Sequence, residues 1–246
     1  MRRLWPDPDP SELDDTSLTR LYALHDRSTP RLRVNFVTSV DGAVTLDGYS
    51  AGLSGPADKR VFAQLRNLCD ALMVGAGTLR HEGYRELVLG PRRAAWRREA
   101  GLDEQPTLVI VSGRLDLPAV HDAFTKAPVR PIVLTHAAAP AERAAELAAV
   151  ADVLVFGETS VDLPAGLAAL AGRGLTQVLC EGGPYLLGAL TAADAVDELC
   201  LTVSPLLTGP GAGRITAGPA APEPRDLALA HVLEADGNLL LRYTRR

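Results

Sequence analysis

Three short stretches of this 246-residue chain set a chemically active side chain beside glycine: Ser39-Val40-Asp41-Gly42, Gly75-Ala76-Gly77-Thr78 and Glu181-Gly182-Gly183-Pro184. In the third, Thr176–Cys180 (TQVLC) has the short apolar and β-branched character of a buried strand, and Pro184 suits the first position of a helix, where its missing N–H is not needed. Strand, glycine turn and helix start are the arrangement that binds anions: glycines let a ligand reach the backbone, and the first-turn N–H groups carry partial positive charge. Glu181 adds a carboxylate able to accept a hydrogen bond or, if burial raises its pKa, to hand on a proton. Gly75-Ala76-Gly77 is not the dinucleotide fingerprint, because Arg80 stands where a third glycine would fall. No Gly-Lys-Ser/Thr follows, so it is not a phosphate-binding P-loop either. Asp41 is a second candidate proton source, with a turn aspartate bonding its own backbone before Gly42 as the equally weighted alternative.

The elements that must position these loops can be read from apolar patterning. Ser11 reads as the cap of a helix running to about His25, a docking extension over residues 1–30. Strands are expected at Arg33–Ser39, Ala71–Val74, Thr107–Val111, Pro131–Thr135, Asp152–Phe156 and Thr176–Cys180. Helices are expected at Ala57–Leu68 (Val61, Leu65 and Leu68 inward), in the Ala-rich stretch between the fourth and fifth strands, at Ala165–Ala171 and from Pro184. Short continuous apolar strands alternating with helices imply a parallel sheet covered on both faces. The chain end differs: Val196–Val203, Leu227–Leu233 and Leu239–Tyr243, the last two joined at Asp236-Gly237-Asn238, predict antiparallel strands extending that sheet. Residues 205–224 are rich in proline and glycine and read as a long loop. All three glycine stretches then fall at carboxyl ends of strands, where open α/β sheets bind ligands.

Composition narrows the function. Net charge is −5 and 22% of residues are charged, leaving no basic field for nucleic acid. Arg92, Arg93, Arg97 and Arg98 read as a solvated helix face. Three widely spaced cysteines, Cys69, Cys180 and Cys200, form neither a C-x-x-C pair nor a disulfide framework. No metal site is expected, and no stretch reaches membrane-spanning length. These features predict a cytoplasmic protein with no membrane or nucleic-acid partner. None of the histidines, His25, His81, His121, His136 and His231, has a spaced partner, and no role is assigned to them.

A set of motifs in order carries more. Ser39-Val40-Asp41-Gly42, Gln64-Leu65-Arg66, Asp70-Ala71 running into Gly75-Ala76-Gly77-Thr78, Glu181-Gly182-Gly183, and Val196-Asp197-Glu198-Leu199 with Pro205 beyond resembles the reductase domain of bacterial riboflavin biosynthesis. The resemblance runs from about residue 31 to the end. It implies a dihydrofolate-reductase-like three-layer αβα fold, a single reductase domain at 31–246, a homodimer, and NADPH-dependent reduction of the ribosyl group of 5-amino-6-(phosphoribosylamino)uracil. The zinc deaminase often fused to such domains has no signature here, since no H-x-E pairs with a P-C-x-x-C.

Carried across position by position, the resemblance places Val37, Gly75, Gly77, Thr78 and Glu82 on the NADPH side. Gly182 and the helix start Gly183, Pro184, Tyr185, Leu186 and Leu187 would hold the pyrophosphate. Ser112 and Arg114, after the third strand, suit a 2′-phosphate, an argument that the nearby Asp116 weakens. Ser50, Arg66 and Glu181 fall on the substrate side, with Arg66 offering a fork to a phosphate. Asp41 and Glu181 are the candidates for the proton that must accompany a hydride. Without the resemblance, Arg66 reads as a surface helix arginine and Glu181 as a strand-end residue on water.

The chain also departs from the family pattern. Glu82-Gly83-Tyr84-Arg85 stands where an aspartate, proline and leucine usually lead into an arginine, and Gly52 stands where an aromatic is expected. Both departures lie on the substrate side, so a pteridine such as dihydrofolate, or another heterocycle with a reducible C=N, is an alternative substrate. A non-catalytic NADPH-binding module and an unrelated small-molecule-binding or transferase domain are the other readings open at this stage.

Overall fold

Alternate residues of each central strand pack into two separate cores. Leu72, Val74 and Ile110 join one, while Ala71, Met73 and Val109 join the other, as the period-two geometry of a strand requires. The computed structural model describes residues 1–219 and 223–246; of the predicted loop 205–224, positions 220–222 lie outside the described residues.

Its strands are β1 (Arg2–Trp5), β2 (Arg31–Ser39), β3 (Ala71–Gly75), β4 (Thr107–Val111), β5 (Ile132–Thr135), β6 (Asp152–Val155), β7 (Gln177–Cys180), β8 (Glu198–Ser204), β9 (Leu227–Ala235) and β10 (Asn238–Arg245). Its α-helices are α1 (Asp15–Tyr22), α2 (Pro56–Leu68), α3 (Ala76–His81), α4 (Pro91–Glu99), α5 (Asp122–Thr125), α6 (Ala141–Ala148), α7 (Leu163–Gly172) and α8 (Pro184–Ala192). One sheet holds all ten strands in the order β1-β9-β10-β8-β2-β7-β3-β4-β5-β6. From β8 to β6 neighbouring strands are parallel. β10, β9 and β1 extend the sheet antiparallel, so the expected mixed sheet is present. Helices α1 and α2 cover one face, where Leu18, Tyr22, Val61 and Leu65 are buried; α7 and α8 cover the other through Leu170, Leu186 and Leu190.

The first thirty residues differ from the expected capped helix. Asp14, not Ser11, caps α1, accepting from Ser17 N at 2.7 Å. Ser11 N is already bonded to Asp9 Oδ1 and Leu13 N to Met1 O, so that backbone is held in a turn and cannot enter the helix. Met1 is placed there because Arg2–Trp5 pairs with β9, a strand the sequence pattern did not announce. A second correction concerns the basic run. Arg92, Arg93 and Arg98 are exposed, but Arg97 is fully buried, donating to Asn67 O (2.8 Å), Cys69 O (2.7 Å) and Asp103 O (2.6 Å). It satisfies carbonyls that the end of α2 would otherwise leave unpaired.

Glu198 ties the antiparallel extension to the parallel core. Its carboxylate, 2% exposed, accepts from Arg33 on β2 (2.9 Å) and from Arg242 on β10 (2.9 and 3.0 Å). Both arginines also donate to the end of α1, Arg33 to Tyr22 O and Arg242 to Leu21 O. Burial alone would raise the Glu198 pKa, but the charges of Arg33 and Arg242 and their hydrogen bonds outweigh it and hold the pKa below its usual value. On the adjoining strand His231 packs edge-on against Tyr22, ring centroids 4.7 Å apart. Burial, then the charge of Arg242, pulls its pKa down to about 4.

Both shifts act in one direction. A histidine whose folded pKa is depressed leaves the unfolded chain holding the extra proton between pH 6.5 and about 4, so stability falls as pH drops through that window. A depressed glutamate loses its contribution as pH falls below the ordinary carboxylate pKa. Urea unfolding is therefore expected to show stability dropping from pH 7 to pH 4, with a His231 share on the order of 3 kcal/mol that His231→Phe removes. At pH 7, Glu198→Gln is expected to cost about 3–5 kcal/mol, because two buried guanidinium groups lose their counter-charge.

Candidate active site

Strand β7 lies between β2 and β3, and this placement brings the glycine-bearing loops together. Glu181 N donates to Met73 O at 3.0 Å and Gly75 N donates to Gly182 O at 2.7 Å, so the turn after β7 is laced to the end of β3. Gly182 has φ +90°, and a Cβ there would lie 2.9 Å from the Phe36 ring on β2. A Cβ on Gly183 would lie 2.6 Å from Thr78 Oγ1 on α3. Glycine is required at both positions, by conformation and contact at 182 and by contact at 183. Gly183 is the N-cap of α8 and Pro184 its first residue, as the sequence implied. Beside this junction Gly77 has open space and Tyr185 is 76% exposed.

A cavity of about 480 Å³ opens against this cradle. Of the residues expected to act, Val37, Ser50, Arg66, Thr78, Glu82, Glu181, Gly183 and Pro184 line it. Glu181 sits at its inner end, with its side chain 1% exposed. Arg66 closes on it bidentately, Nε to Oε1 at 2.7 Å and Nη2 to Oε2 at 2.6 Å, and Tyr84 Oη donates to Oε2 at 2.6 Å. The guanidinium lies 4.2 Å from the Phe62 ring centroid, a cation–π contact that fixes its plane. Burial acts to lower the Arg66 pKa, but its hydrogen bonds to Glu181 and that residue's charge raise it above its usual value. Tyr84 is pushed well up, first by burial and then by the Glu181 charge. The Nε/Nη2 edge of Arg66, expected to receive a phosphate, is thus engaged with a carboxylate, and Nη1 is the part without a hydrogen-bond partner among the described residues.

Two further expectations meet occupied groups. Asp41 is exposed and takes no part in lining the cavity. It accepts from the Ser39 hydroxyl, from Gly209 N at 2.8 Å and from Thr208 N, joining the loop after β2 to the loop after β8. The Ser39 hydroxyl first, then the Gly209 N–H, lowers its pKa to about 2. An aspartate with that pKa is deprotonated at neutral pH and does not suit a proton source; its carboxylate bonds the Ser39 hydroxyl and the 208–209 backbone, a different use from the turn bonding its own backbone that was the alternative. Glu82, placed by the resemblance on the cofactor side, accepts from Ser50 N (3.2 Å) and Ser50 Oγ (3.1 Å). It pins the loop before α2, helped by His81, whose Nε2 lies 2.8 Å from Gly48 O and whose ring stacks on Tyr49.

At the end of β4, Ser112 is buried and its hydroxyl accepts from Leu115 N at 3.0 Å. Arg114 is exposed, and among the described residues no carboxylate pairs with it. Asp116, which weakened the phosphate argument, is engaged instead by Arg80 and Arg143.

Sequence reasoning assigned nothing to Asn35, Asp58, Lys59, Phe62 and Glu86, which line the cavity; Tyr84 and Arg85, in the segment placed on the substrate side by comparison with the family pattern, line it as well. One signal could have found part of this group. Lys59, Phe62 and Arg66 stand at i, i+3 and i+7 of α2, on one helical face.

A glycine cradle at a helix N-terminus, set beside a polar-walled cavity at the carboxyl edge of a parallel sheet, defines an α/β protein built to hold a nucleotide against a small polar molecule. The family model for the RibD C-terminal domain matches residues 30–241, and the chain belongs to that family. A 2,5-diamino-6-ribosylamino-4(3H)-pyrimidinone 5′-phosphate reductase of Archaeoglobus fulgidus is 31% identical over 181 residues, 73% of this chain and 82% of that protein. The riboflavin biosynthesis protein RibD of Mycobacterium tuberculosis is 29% identical over 197 residues; the match covers 79% of this chain but 47% of that longer protein. The crystal structure of a pyrimidine reductase-like protein from Corynebacterium diphtheriae superposes with a TM-score of 0.83 at 27% identity, covering 93% of this chain and 98% of that one. The protein is therefore an oxidoreductase of the riboflavin-biosynthesis reductase family, and a nicotinamide nucleotide is the cofactor class that the family implies. The cradle fits such a group, having open space at Gly77 and Tyr185 and helix N–H groups facing it.

Proposed function

We propose that this protein is an NADPH-dependent reductase of a phosphoribosylamino-pyrimidine, converting its ribosyl group to ribityl. The observation that carries this reading is the adjoining pair of spaces: the cradle formed by Gly75, Gly77, Thr78 and Gly182 to Leu187, and the polar cavity that opens directly against it. When bound, the nicotinamide supplies the hydride. The chain's own part is to align the acceptor and exclude water. Arg66, Glu181 and Tyr84 make the rigid inner wall, with Val37 and Thr78 at the cofactor side and Ser50 held in place by Glu82. Lys59 and Arg85, both exposed at the cavity, are the cations that receive the substrate phosphate in place of the engaged Arg66. Three hydrogen-bond donors already face the two oxygens of Glu181, so its role is to orient the wall, and solvent supplies the proton.

Reduction of the aminopyrimidine phosphate by NADPH, followed by loss of absorbance at the nicotinamide band, tests the activity directly. Glu181→Gln keeps the size of the side chain but withdraws the charge that holds Arg66. Turnover is expected to fall about 10–100-fold while NADPH affinity stays within a few-fold; a comparable loss of NADPH binding would move Glu181 to the cofactor side.

Arg114 is assigned to the 2′-phosphate, with Ser112 shaping its loop. Arg114→Ala is expected to weaken NADPH by about 1.5–3 kcal/mol, the value of a hydrogen bond to a charged group, and to leave NADH nearly unchanged. Fluorescence quenching with each cofactor measures both; equal losses would remove the assignment.

We further propose a two-fold homodimer. Across β8, β10 and β9 the register lines up Leu199 with Tyr243, Leu201 with Leu241 and Val232, and Val203 with Leu239, on one face. These side chains remain half-exposed, Leu239 the most so at 38%, more apolar surface than a monomer usually leaves uncovered. Sedimentation at micromolar concentration is expected to give the dimer mass, and Leu241→Glu the monomer.

A further inference from the structure

Two arginines of the α4 basic run are used neither by the fold nor by the active site. Arg97 is buried on carbonyls and Arg98 pairs with Glu104 at 2.8 Å, but Arg92 and Arg93 are exposed and have no side-chain partner among the described residues. Both line a groove of about 350 Å³ between α1, α2 and α4. It shares no lining residue with the cavity beside the glycine cradle. Gly90 is the N-cap of α4 and Pro91 its first residue, and no side chain caps this end. First-turn N–H groups carry partial positive charge, so helix end and arginines give the groove one sign. Asp15 lines it as well, but its carboxylate accepts from Arg60 Nε at 2.8 Å.

A helix end and two surface arginines do not by themselves make a site. The buried wall of the groove decides. Asn67 on α2 is 4% exposed, yet neither end of its amide has a hydrogen-bond partner among the described residues; Oδ1 is enclosed, while Nδ2 keeps accessible surface in the groove. One turn earlier Gln64, 7% exposed, accepts from the Thr19 hydroxyl at 3.0 Å, and its Nε2 has no acceptor among the described residues. A buried amide donor that reaches a groove without an acceptor from its own chain calls for one from outside. Amide N–H groups, a helix N-terminus and two free guanidinium groups together select an anion with several acceptor oxygens. We propose that this groove is a second ligand site, binding a phosphate group through Asn67 Nδ2, the first turn of α4, Arg92 and Arg93. It stands independently of the reductase reading.

The chain has two tryptophans, Trp5 on β1 and Trp96 in the groove, and they make the test local. The indole N–H resonances of the nitrogen-labelled full chain, assigned with Trp5→Phe, are followed as inorganic phosphate is added at constant ionic strength. NADP⁺ is kept saturating, so that its own phosphate contacts are filled. The Trp96 resonance is expected to shift saturably, with half-saturation at about 1 mM or below, and that of Trp5 to stay in place. Asn67→Asp keeps the shape of the side chain but sets a carboxylate where the donor stood, and is expected to abolish the shift. Arg92→Ala combined with Arg93→Ala is expected to weaken binding about 10-fold or more. Ribose 5-phosphate serves as a second probe: tighter binding than inorganic phosphate assigns the groove to a phosphorylated small molecule, and equal binding assigns it to the free ion. A Trp96 resonance that does not saturate, or that moves in step with Trp5, would overturn the proposal. Unchanged affinity in the double arginine variant would do the same, and that variant decides if Asn67→Asp does not fold.

Discussion

A carboxylate buried at the end of a central strand has to be met by donors, and at Glu181 that demand organises the site. Its backbone is fixed by β7 between β2 and β3, and its two oxygens draw in Arg66 from α2 and Tyr84 from the segment after α3. The bidentate pair and the stacked Phe62 leave the guanidinium little freedom. Helix α2 is therefore docked by an ion pair at one end of the cavity as well as by Val61 and Leu65 in the core. Breaking this pair would leave an unpaired charge in a nearly closed space, which is why the wall it forms is rigid.

The same β7 placement produces the cofactor cradle. A parallel strand inserted between two others puts its exit loop beside both of theirs, and here the lacing of Gly182 O to Gly75 N brings the turns within a side chain's width of each other. The glycines at 182 and 183 are then demanded by Phe36 on β2 and Thr78 on α3. Sequence reading saw these glycines as access for a ligand. The structure adds that they are also what lets three loops meet.

Much of this was legible because strands and helices in a parallel α/β sheet announce themselves. TLVIV, PIVLT and TQVLC each hold a continuous apolar run since both faces are covered, and α2 was placed to within a residue. The misses have physical causes. Arg2–Trp5 is too short and too polar to look like a strand; it exists because β9 offers it an edge. Arg97 reads as solvent-facing from composition, and only the meeting of α2 with β3 supplies the carbonyls that bury it. Glu86 lies in a segment without periodicity, so no pattern could say that it lines the cavity. Arg66 and Glu181 were both named, yet nothing in a linear sequence separated by 115 positions states that they bond to each other.

That last point decides how the motif should be understood. A glutamate before two glycines suggests a reactive group at a ligand's edge, and an arginine on a neighbouring helix suggests an anion receptor. Once paired, the two hold each other: Arg66 Nε and Nη2 and the Tyr84 hydroxyl meet the two oxygens of Glu181, while Arg66 Nη1 has no hydrogen-bond partner among the described residues. Their pairing fixes shape and polarity at one place in the cavity wall. Lys59, Arg85 and Glu86 line the same cavity without a side-chain hydrogen bond among the described residues. These line the part of the cavity away from the glycine cradle's own contacts, on α2 and on the loop after α3. A parallel sheet thus fixes the glycine cradle, while the side chains left to meet a ligand come from α2 and from the aperiodic loop after α3.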